Sequence, residues 1–282
     1  MAKILVTGAT GTNGKALIKR LNELKADFRI GVRNQEQAEK LFPGSQIAQF
    51  DFSDPNTYEN AVQNVDKVFL LGPPLTLKVD ELLNPFIDFL NEKGIKRVVY
   101  FSAFGSDKMG SSLDFHIKIE EKLKNDGFDY TILRPSFFAQ NFKNYDYENI
   151  TERGIIFSVA GTGKVGFVDV HDIANVAATA LLNEGHSKKT YELTGPETHS
   201  FTDVATLLSD VVSKEITYPN PSAAQFRDVL AQAGAPSFIA DYLIEVYSAI
   251  VNNEVNIITN DIEKVTGKKP TSLKEVLKRD FN

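Results

Sequence analysis

His116 and Glu120 stand four residues apart in a stretch of helical pattern, a spacing that brings an imidazole and a carboxylate onto one helical face. A carboxylate there favours the charged imidazole, which makes His116 a candidate proton donor near neutral pH with Glu120 as its partner. The same spacing is equally that of an ordinary helix-surface pair. A second set of residues offers a cradle for phosphate instead of an acid. Gly8, Gly11 and Gly14 come directly after the apolar run Ile4-Leu5-Val6 and directly before a helical pattern. Gly8 lets the chain turn sharply out of a buried strand, Gly11 removes the β-carbon where backbone must approach a pyrophosphate, and Gly14 lets the helix pack closely on the sheet. The N–H groups and positive dipole end of that helix then face the phosphates, as in a dinucleotide site.

The end of the second strand selects the dinucleotide. NAD-binding versions of this unit carry an acid there, which accepts from the ribose 2′-hydroxyl and repels a 2′-phosphate. Here the strand ends Gly31-Val32-Arg33-Asn34, and Arg33 offers a planar cation suited to phosphate, so NADP(H) is expected over NAD(H). A solvated arginine at a strand end is the alternative. Asp51 and Phe52, after the third strand, are placed to border the adenine. Leu71, Gly72, Pro73 and Pro74, after the fourth, are placed to line the ribose and pyrophosphate. For a flat acceptor, Phe104, Phe137, Phe138, Phe142, Tyr145 and Tyr147 follow strand ends in segments that border such a crevice, although each is equally a candidate for the core. Asn141 is placed to reach substrate or nicotinamide amide, or to cap a turn.

The elements that position these residues alternate. Strands are predicted over residues 3–7, 28–32, 46–50, 67–71, 97–102 and 130–133, with helices over 14–24, 35–41, 55–62, 77–93 and 112–125 between them. Six strands with five crossovers make an α/β doubly wound parallel sheet whose ligand crevice lies beyond the carboxyl ends of the strands. After about Arg134 the alternation loosens and the chain is expected to become mostly helical. Short strands are expected over 155–158 and 190–193, and three capping-box starts, Ser200 with Asp203, Ser222 with Gln225 and Ser272 with Glu275, each open an amphipathic run. The expected division is a nucleotide-binding domain over 1–150, with returning segments 151–199, and a mainly helical substrate-side or lid region over 200–282.

Composition narrows the function classes. With 282 residues and 42% hydrophobic content the chain can bury a large core without staples. It has no cysteine, hence no disulfide framework, thiolate metal site or cysteine nucleophile. Its four histidines are too scattered to suggest a metal site. The net charge of −6, with both signs interspersed, gives no surface built for nucleic acid or acidic membranes. No apolar run approaches the ~20 residues of a membrane span, a signal peptide is not expected, and a cytoplasmic monomer or homodimer acting on a small molecule is the expectation.

Taken in order, Thr7-Gly8-Ala9-Thr10-Gly11-Thr12-Asn13-Gly14, Val32-Arg33-Asn34, Tyr100-Phe101-Ser102, Leu133-Arg134-Pro135-Ser136-Phe137-Phe138 and Val168-Asp169-Val170-His171-Asp172-Ile173-Ala174 resemble the NmrA-like, atypical short-chain dehydrogenase/reductase family nearly end to end. Within it the chain looks most like bacterial type 2 NADPH quinone oxidoreductases and triphenylmethane dye reductases, including Ala231-Gln232-Ala233-Gly234-Ala235-Pro236. The resemblance implies a Rossmann domain with a small C-terminal substrate-side domain. It also implies NADP(H) bound at the matching residues, which add Thr10, Thr12, Asn13, Ser102, Ala103 and Pro135 to those above, and often reduction of quinones or dyes. Ordinary members of the wider superfamily use a Tyr-x-x-x-Lys pair as acid and base. None of the nine tyrosines here has lysine four residues on. An NADPH-dependent oxidoreductase acting on a quinone-like or conjugated acceptor is therefore the leading expectation, because such acceptors need little acid catalysis. A non-catalytic NADP(H)-binding redox sensor is the alternative, and a nucleotide-sugar epimerase a lesser one, since it would need the missing tyrosine base.

Overall fold

The computed structural model describes residues 3–76 and 78–282, with the backbone alone at 110 and 111, so the expected helix start at Leu77 lies outside the described residues. The chain forms two compact units. Unit 1 comprises Met1–Ala103, Phe115–Arg134 and Val170–Tyr191; unit 2 comprises Phe104–Asp114, Pro135–Asp169 and Glu192–Asn282. The division does not follow the sequence at a single boundary: the loop after the fifth strand and the segment after Pro135 group with the C-terminal helices, while the helix after Asp169 returns to unit 1.

Unit 1 is built on strands β1 (Ile4–Val6), β2 (Phe28–Val32), β3 (Gln46–Gln49), β4 (Lys67–Leu70), β5 (Arg97–Phe101) and β6 (Asp129–Pro135), the last running on into unit 2. Their order is β3-β2-β1-β4-β5-β6, every pairing is parallel, and the winding reverses between β1 and β4. A ligand crevice opens at such a reversal. The central strands β1, β4 and β5 are short, largely apolar runs, as burial on both faces demands, and Ile4, Leu5, Val68, Leu70, Val98 and Val99 are each 0% exposed. Thr7 locks the reversal point: its hydroxyl donates to the carbonyl oxygens of Phe69 (3.0 Å) and Leu71 (3.1 Å) and accepts from the Leu71 N–H (2.9 Å).

Helices α1 (Thr12–Glu23), α2 (Gln35–Leu41), α3 (Tyr58–Ala61), α4 (Val79–Glu92) and α5 (Asp114–Asn125) supply the crossovers. The expected helix over 55–62 is a 3-10 turn, Pro55–Thr57, followed by α3, because the Asp54 side chain caps the Asn56 N–H and Pro55 sits at the first helical position. In α1 the residues Ala16, Leu17, Ile18 and Leu21 are buried, each fully buried leucine or isoleucine contributing roughly 1.5–3 kcal/mol.

The second half departs further from expectation. Residues 155–158 form no strand, only an isolated bridge from Ile155 to Thr217. Residues 189–193 become β8 (Lys189–Leu193), a seventh strand of the main sheet beside β6, with Lys188 N–H donating to Tyr130 O (2.7 Å) and Ser136 N–H to Leu193 O (2.9 Å). A two-stranded antiparallel pair, β7 (Lys164–Val165) and β9 (His199–Ser200), lies in unit 2. Two helices fall in the part expected to be mostly helical but at positions the sequence reading does not place, α6 (Asn141–Glu148) and α7 (Val170–Leu182). The remaining helices of unit 2 are α8 (Phe201–Val212), α9 (Ala223–Gln232), α10 (Ser237–Val251), α11 (Asp261–Thr266) and α12 (Leu273–Phe281). All three expected capping boxes are present, opening α8, α9 and α12. Phe142, Phe167 and Phe201 form the aromatic centre of this unit, with ring centroids 5.1–5.7 Å apart.

Candidate active site

The three glycines of the loop after β1 differ in what requires them. Gly8 has φ +64°, and a β-carbon there would lie 2.7 Å from the Leu71 side chain. A β-carbon on Gly14 would lie 2.3 Å from the Gly8 carbonyl oxygen. Gly11 is exposed, has ordinary extended dihedrals (φ −78°, ψ 171°), and its added β-carbon would meet only the Gly8 oxygen at 3.4 Å. Gly8 and Gly14 are thus fixed by the protein itself, whereas nothing in the surrounding chain crowds Gly11 closer than 3.4 Å. Gly11 is also the N-cap of α1 and brings no side chain to cap the helix, whose first turn contains no acid. Beside it Asn13 Oδ1 is buried with no partner among the described residues. Thr10 and Thr12 are exposed on the same loop.

Arg33, after β2, is exposed and makes no hydrogen bond or ion pair among the described residues; its charge acts only weakly, on Asp51. Asn34 is not available to a ligand in the same way, because its side chain caps α2 by accepting from the Gln37 N–H (2.9 Å). The Asp51 carboxylate accepts from Ser53 N–H (2.9 Å) and Ser53 Oγ (2.7 Å), which holds its pKa below the ordinary range, with Arg33 adding to the effect. Phe52 is half-buried and meets Phe50 edge-on at 4.8 Å. Leu71, Gly72 and Pro73 are half-buried and Pro74 is exposed after β4. The donor set fits a dinucleotide phosphate: an uncapped helix N-terminus, a bare backbone at Gly11 and an uncommitted guanidinium.

His116 and Glu120 share a helix, but the structure gives them separate partners. Glu120 is 1% exposed and accepts from Arg134 Nε (2.9 Å) and Nη2 (2.6 Å), from Ser102 Oγ (2.7 Å) and from Lys124 Nζ (3.4 Å). Burial pushes its pKa up, yet the Arg134 and Ser102 bonds prevail and hold it below the ordinary value. His116 Nδ1 lies 2.7 Å from the Tyr100 hydroxyl. Burial lowers its pKa to about 3, against the favourable pull of Glu120 and with Arg134 opposing the charge. Tyr100, 1% exposed, is pushed well above its ordinary value by burial and by the negative charges of Glu120 and Asp80. The expectation that Glu120 makes His116 a cationic proton donor near neutral pH is corrected: the imidazole is neutral, because burial outweighs a carboxylate whose charge Arg134 already balances.

Ser102 is 2% exposed and Ala103 half-buried at the end of β5. Sequence reasoning missed Tyr100 and Arg134 as members of this cluster. Arg134 carried a signal, a lone cation within the apolar end of a buried strand, which requires an anion nearby. Tyr100 carried none, since nothing in its spacing points to His116.

In unit 2, Pro135 is buried and its carbonyl accepts from the Phe104 N–H (3.0 Å). Phe104 is only 5% exposed and belongs to the core, correcting its expected place in a pocket wall. Phe142 is core as well, while Tyr145 (74% exposed) and Tyr147 (47%) project to solvent, because α6 turns one face inward and the other out. Of the aromatic set, Phe137 and Phe138 remain half-buried, Phe137 tilted on Tyr247 at 5.6 Å. Asn141, half-buried, opens α6 with its N–H donating to Phe138 O (3.1 Å).

Comparison with known proteins agrees in both sequence and architecture. The NAD(P)H azoreductase of Xenophilus azovorans is 30% identical, covering 98% of this chain and 96% of its own. The crystal structure of an NADPH-dependent quinone oxidoreductase from Escherichia coli complexed with NADPH superposes with a TM-score of 0.88 at 29% identity, covering 99% of this chain and 100% of that one. The Citrobacter sp. triphenylmethane reductase complexed with NADP(H) gives 0.87 at 28% identity, with 99% of each chain covered. The model of the NmrA-like family matches residues 1–281, and this chain belongs to that family.

Proposed function

We propose that this chain is an NADPH-dependent oxidoreductase that reduces quinone-like or other conjugated acceptors. The observation that carries the proposal is the pairing, within unit 1, of a phosphate cradle marked by an uncommitted Arg33 with a helix whose His116 is neutral and whose Glu120 is spoken for by Arg134 and Ser102. The N-terminus of α1 and the bare backbone at Gly11 hold the pyrophosphate, and Asn13 adds a polar contact. Arg33 takes the 2′-phosphate, with Asp51 and Phe52 bordering the adenine. Leu71, Gly72 and Pro73 line the next stretch, and Ser102, Ala103 and Pro135 follow where their strands end. Bound NADPH supplies a hydride. Reduction of a ketone leaves an alkoxide that demands a well-placed acid, whereas a quinone or cationic dye yields a stabilised anion or neutral product, any further proton coming from water. A site without a charged acid suits the second class, and its contribution is proximity and orientation. Acceptor recognition falls to Phe137, Phe138 and Asn141, two flat apolar faces and one amide. The relatives' own names, azoreductase, quinone oxidoreductase and triphenylmethane reductase, share this acceptor chemistry. Oxidation of NADPH measured against a panel of quinones, azo compounds and cationic dyes tests the reading. A flat response across the panel with NADPH binding retained would sink it and leave a dinucleotide sensor in its place.

A further inference from the structure

Residues 137–141, on which the proposed acceptor contacts fall, are held within unit 2 by two sets of bonds. The backbone set is a short parallel bridge: Val168 N–H donates to Phe137 O and Ala139 N–H to Val168 O, each at 2.9 Å. The side-chain set begins one residue further on. Asp169 is 1% exposed, and its Oδ1 accepts from Gln140 Nε2 at 2.9 Å. The same carboxylate receives both terminal nitrogens of Arg279, Nη1 to Oδ2 at 2.7 Å and Nη2 to Oδ1 at 3.1 Å. Asp280, beside Arg279, accepts from Arg279 Nε (3.2 Å) and from Gln140 Nε2 (3.4 Å).

The arginine comes from a well-fixed body. Helix α12 is opened by its Ser272–Glu275 capping box and buries Leu273, Val276 and Leu277. A carboxylate as deeply buried as Asp169 requires a cation, and only a planar fork satisfies both of its oxygens at once. The guanidinium thus fixes the orientation of Asp169, Asp169 fixes Gln140, and Gln140 lies between Phe138 and Asn141 in the chain.

We propose that Arg279 is a positioning residue for the acceptor: through Asp169 and Gln140, the last helix sets the segment that presents Phe137, Phe138 and Asn141. The proposal deepens the oxidoreductase reading and rests on it for its kinetic arm. Arg279→Gln removes the fork and leaves the capping box and apolar face of α12 intact; Arg279→Lys keeps the charge and loses the two-toothed geometry. In Arg279→Gln, hydrogen exchange at the amides of Ala139 and Asn141 is expected to speed by about tenfold, the loss of one charge-assisted bond. The acceptor KM rises by about the same factor while NADPH affinity stays within about twofold, and Arg279→Lys falls between wild type and Arg279→Gln in both readouts. Unchanged exchange at Ala139 and Asn141 would overturn the proposal, as would a loss of NADPH affinity as large as the rise in acceptor KM. If the wild-type protein reduces no acceptor, the oxidoreductase reading fails, and the exchange measurement still decides whether Arg279 orders the segment.

Discussion

Glu120→Gln separates a positioning carboxylate from an acid-base one. Glutamine keeps the shape of the side chain and removes its charge. Its amide oxygen can go on accepting from Ser102, but the amide nitrogen then faces an Arg134 nitrogen, donor against donor, where a 2.6 Å ion pair stood. Removing one partner of a fully buried pair costs about 3–5 kcal/mol. The Arg134 side chain is 23% exposed, so water recovers part of this and the expected loss is about 2–3 kcal/mol. For 282 residues, with an unfolding entropy of about 2.1 cal/mol/K per residue, that lowers Tm by about 3–5 °C at pH 7. The pH dependence carries the sign. The folded pKa of Glu120 is depressed, so its stabilisation is fully present above the unfolded value of about 4.3 and is lost as pH falls through the lower folded value. The gap between wild type and variant therefore closes below about pH 4. Denaturant unfolding of both proteins between pH 7 and pH 3 measures it. Equal stability at pH 7, or a gap undiminished at pH 3, would refute the assignment of Glu120 as an ionised partner of Arg134.

Three further outcomes follow from the same geometry. His116, with a folded pKa of about 3 against an unfolded value of about 6.5, takes its proton first in the unfolded chain, so it withdraws stability as pH falls between those values. His116→Gln should flatten that slope in unfolding measurements, and wild-type turnover should show no limb near pH 7 that the variant abolishes; such a limb would restore His116 as proton donor. Arg33→Asp should weaken NADPH by about ten- to a hundredfold and NADH little, read by calorimetry, since one charge-assisted contact is worth about 1.5–3 kcal/mol. Gly11→Ala should melt within about 1 °C of wild type and lose NADPH affinity, whereas Gly14→Ala, forced to within 2.3 Å of a backbone oxygen, should lose several degrees.

What the sequence discloses is whatever local pattern decides. β2 and α2 fall on their expected residues because Phe28, Ile30 and Val32 recur at strand period and Asn34 caps the helix that follows. The capping boxes at Ser200, Ser222 and Ser272 are four-residue signals, and all three hold. Helix α7 escapes notice because Val170–Leu182 buries nine residues around most of its circumference and leaves only the narrow line of His171, Asn175 and Thr179 to set a period. β8 was visible as a strand but not as a seventh member of the sheet, since its neighbour β6 lies more than fifty residues earlier in the chain.

The site divides along the same line. The glycine loop is local, and the sequence named its residues. The structure then showed that one shared motif has separate causes, a positive φ at Gly8 and a carbonyl oxygen facing Gly14, while at Gly11 an added β-carbon would meet only the Gly8 oxygen at 3.4 Å. His116 and Glu120 are local as a pair and non-local in their chemistry. Four residues of spacing put them on one helix, but β6 delivers Arg134 to the carboxylate and β5 delivers Tyr100 to the imidazole. Once the carboxylate is neutralised from the next strand, it has little charge left with which to raise the imidazole against burial. A motif search that stops at the helix therefore finds an acid-base dyad, while the folded sheet turns the same residues into a strut with a neutral neighbour, an arrangement that suits the proposed acceptors, which do not need a proton handed to them.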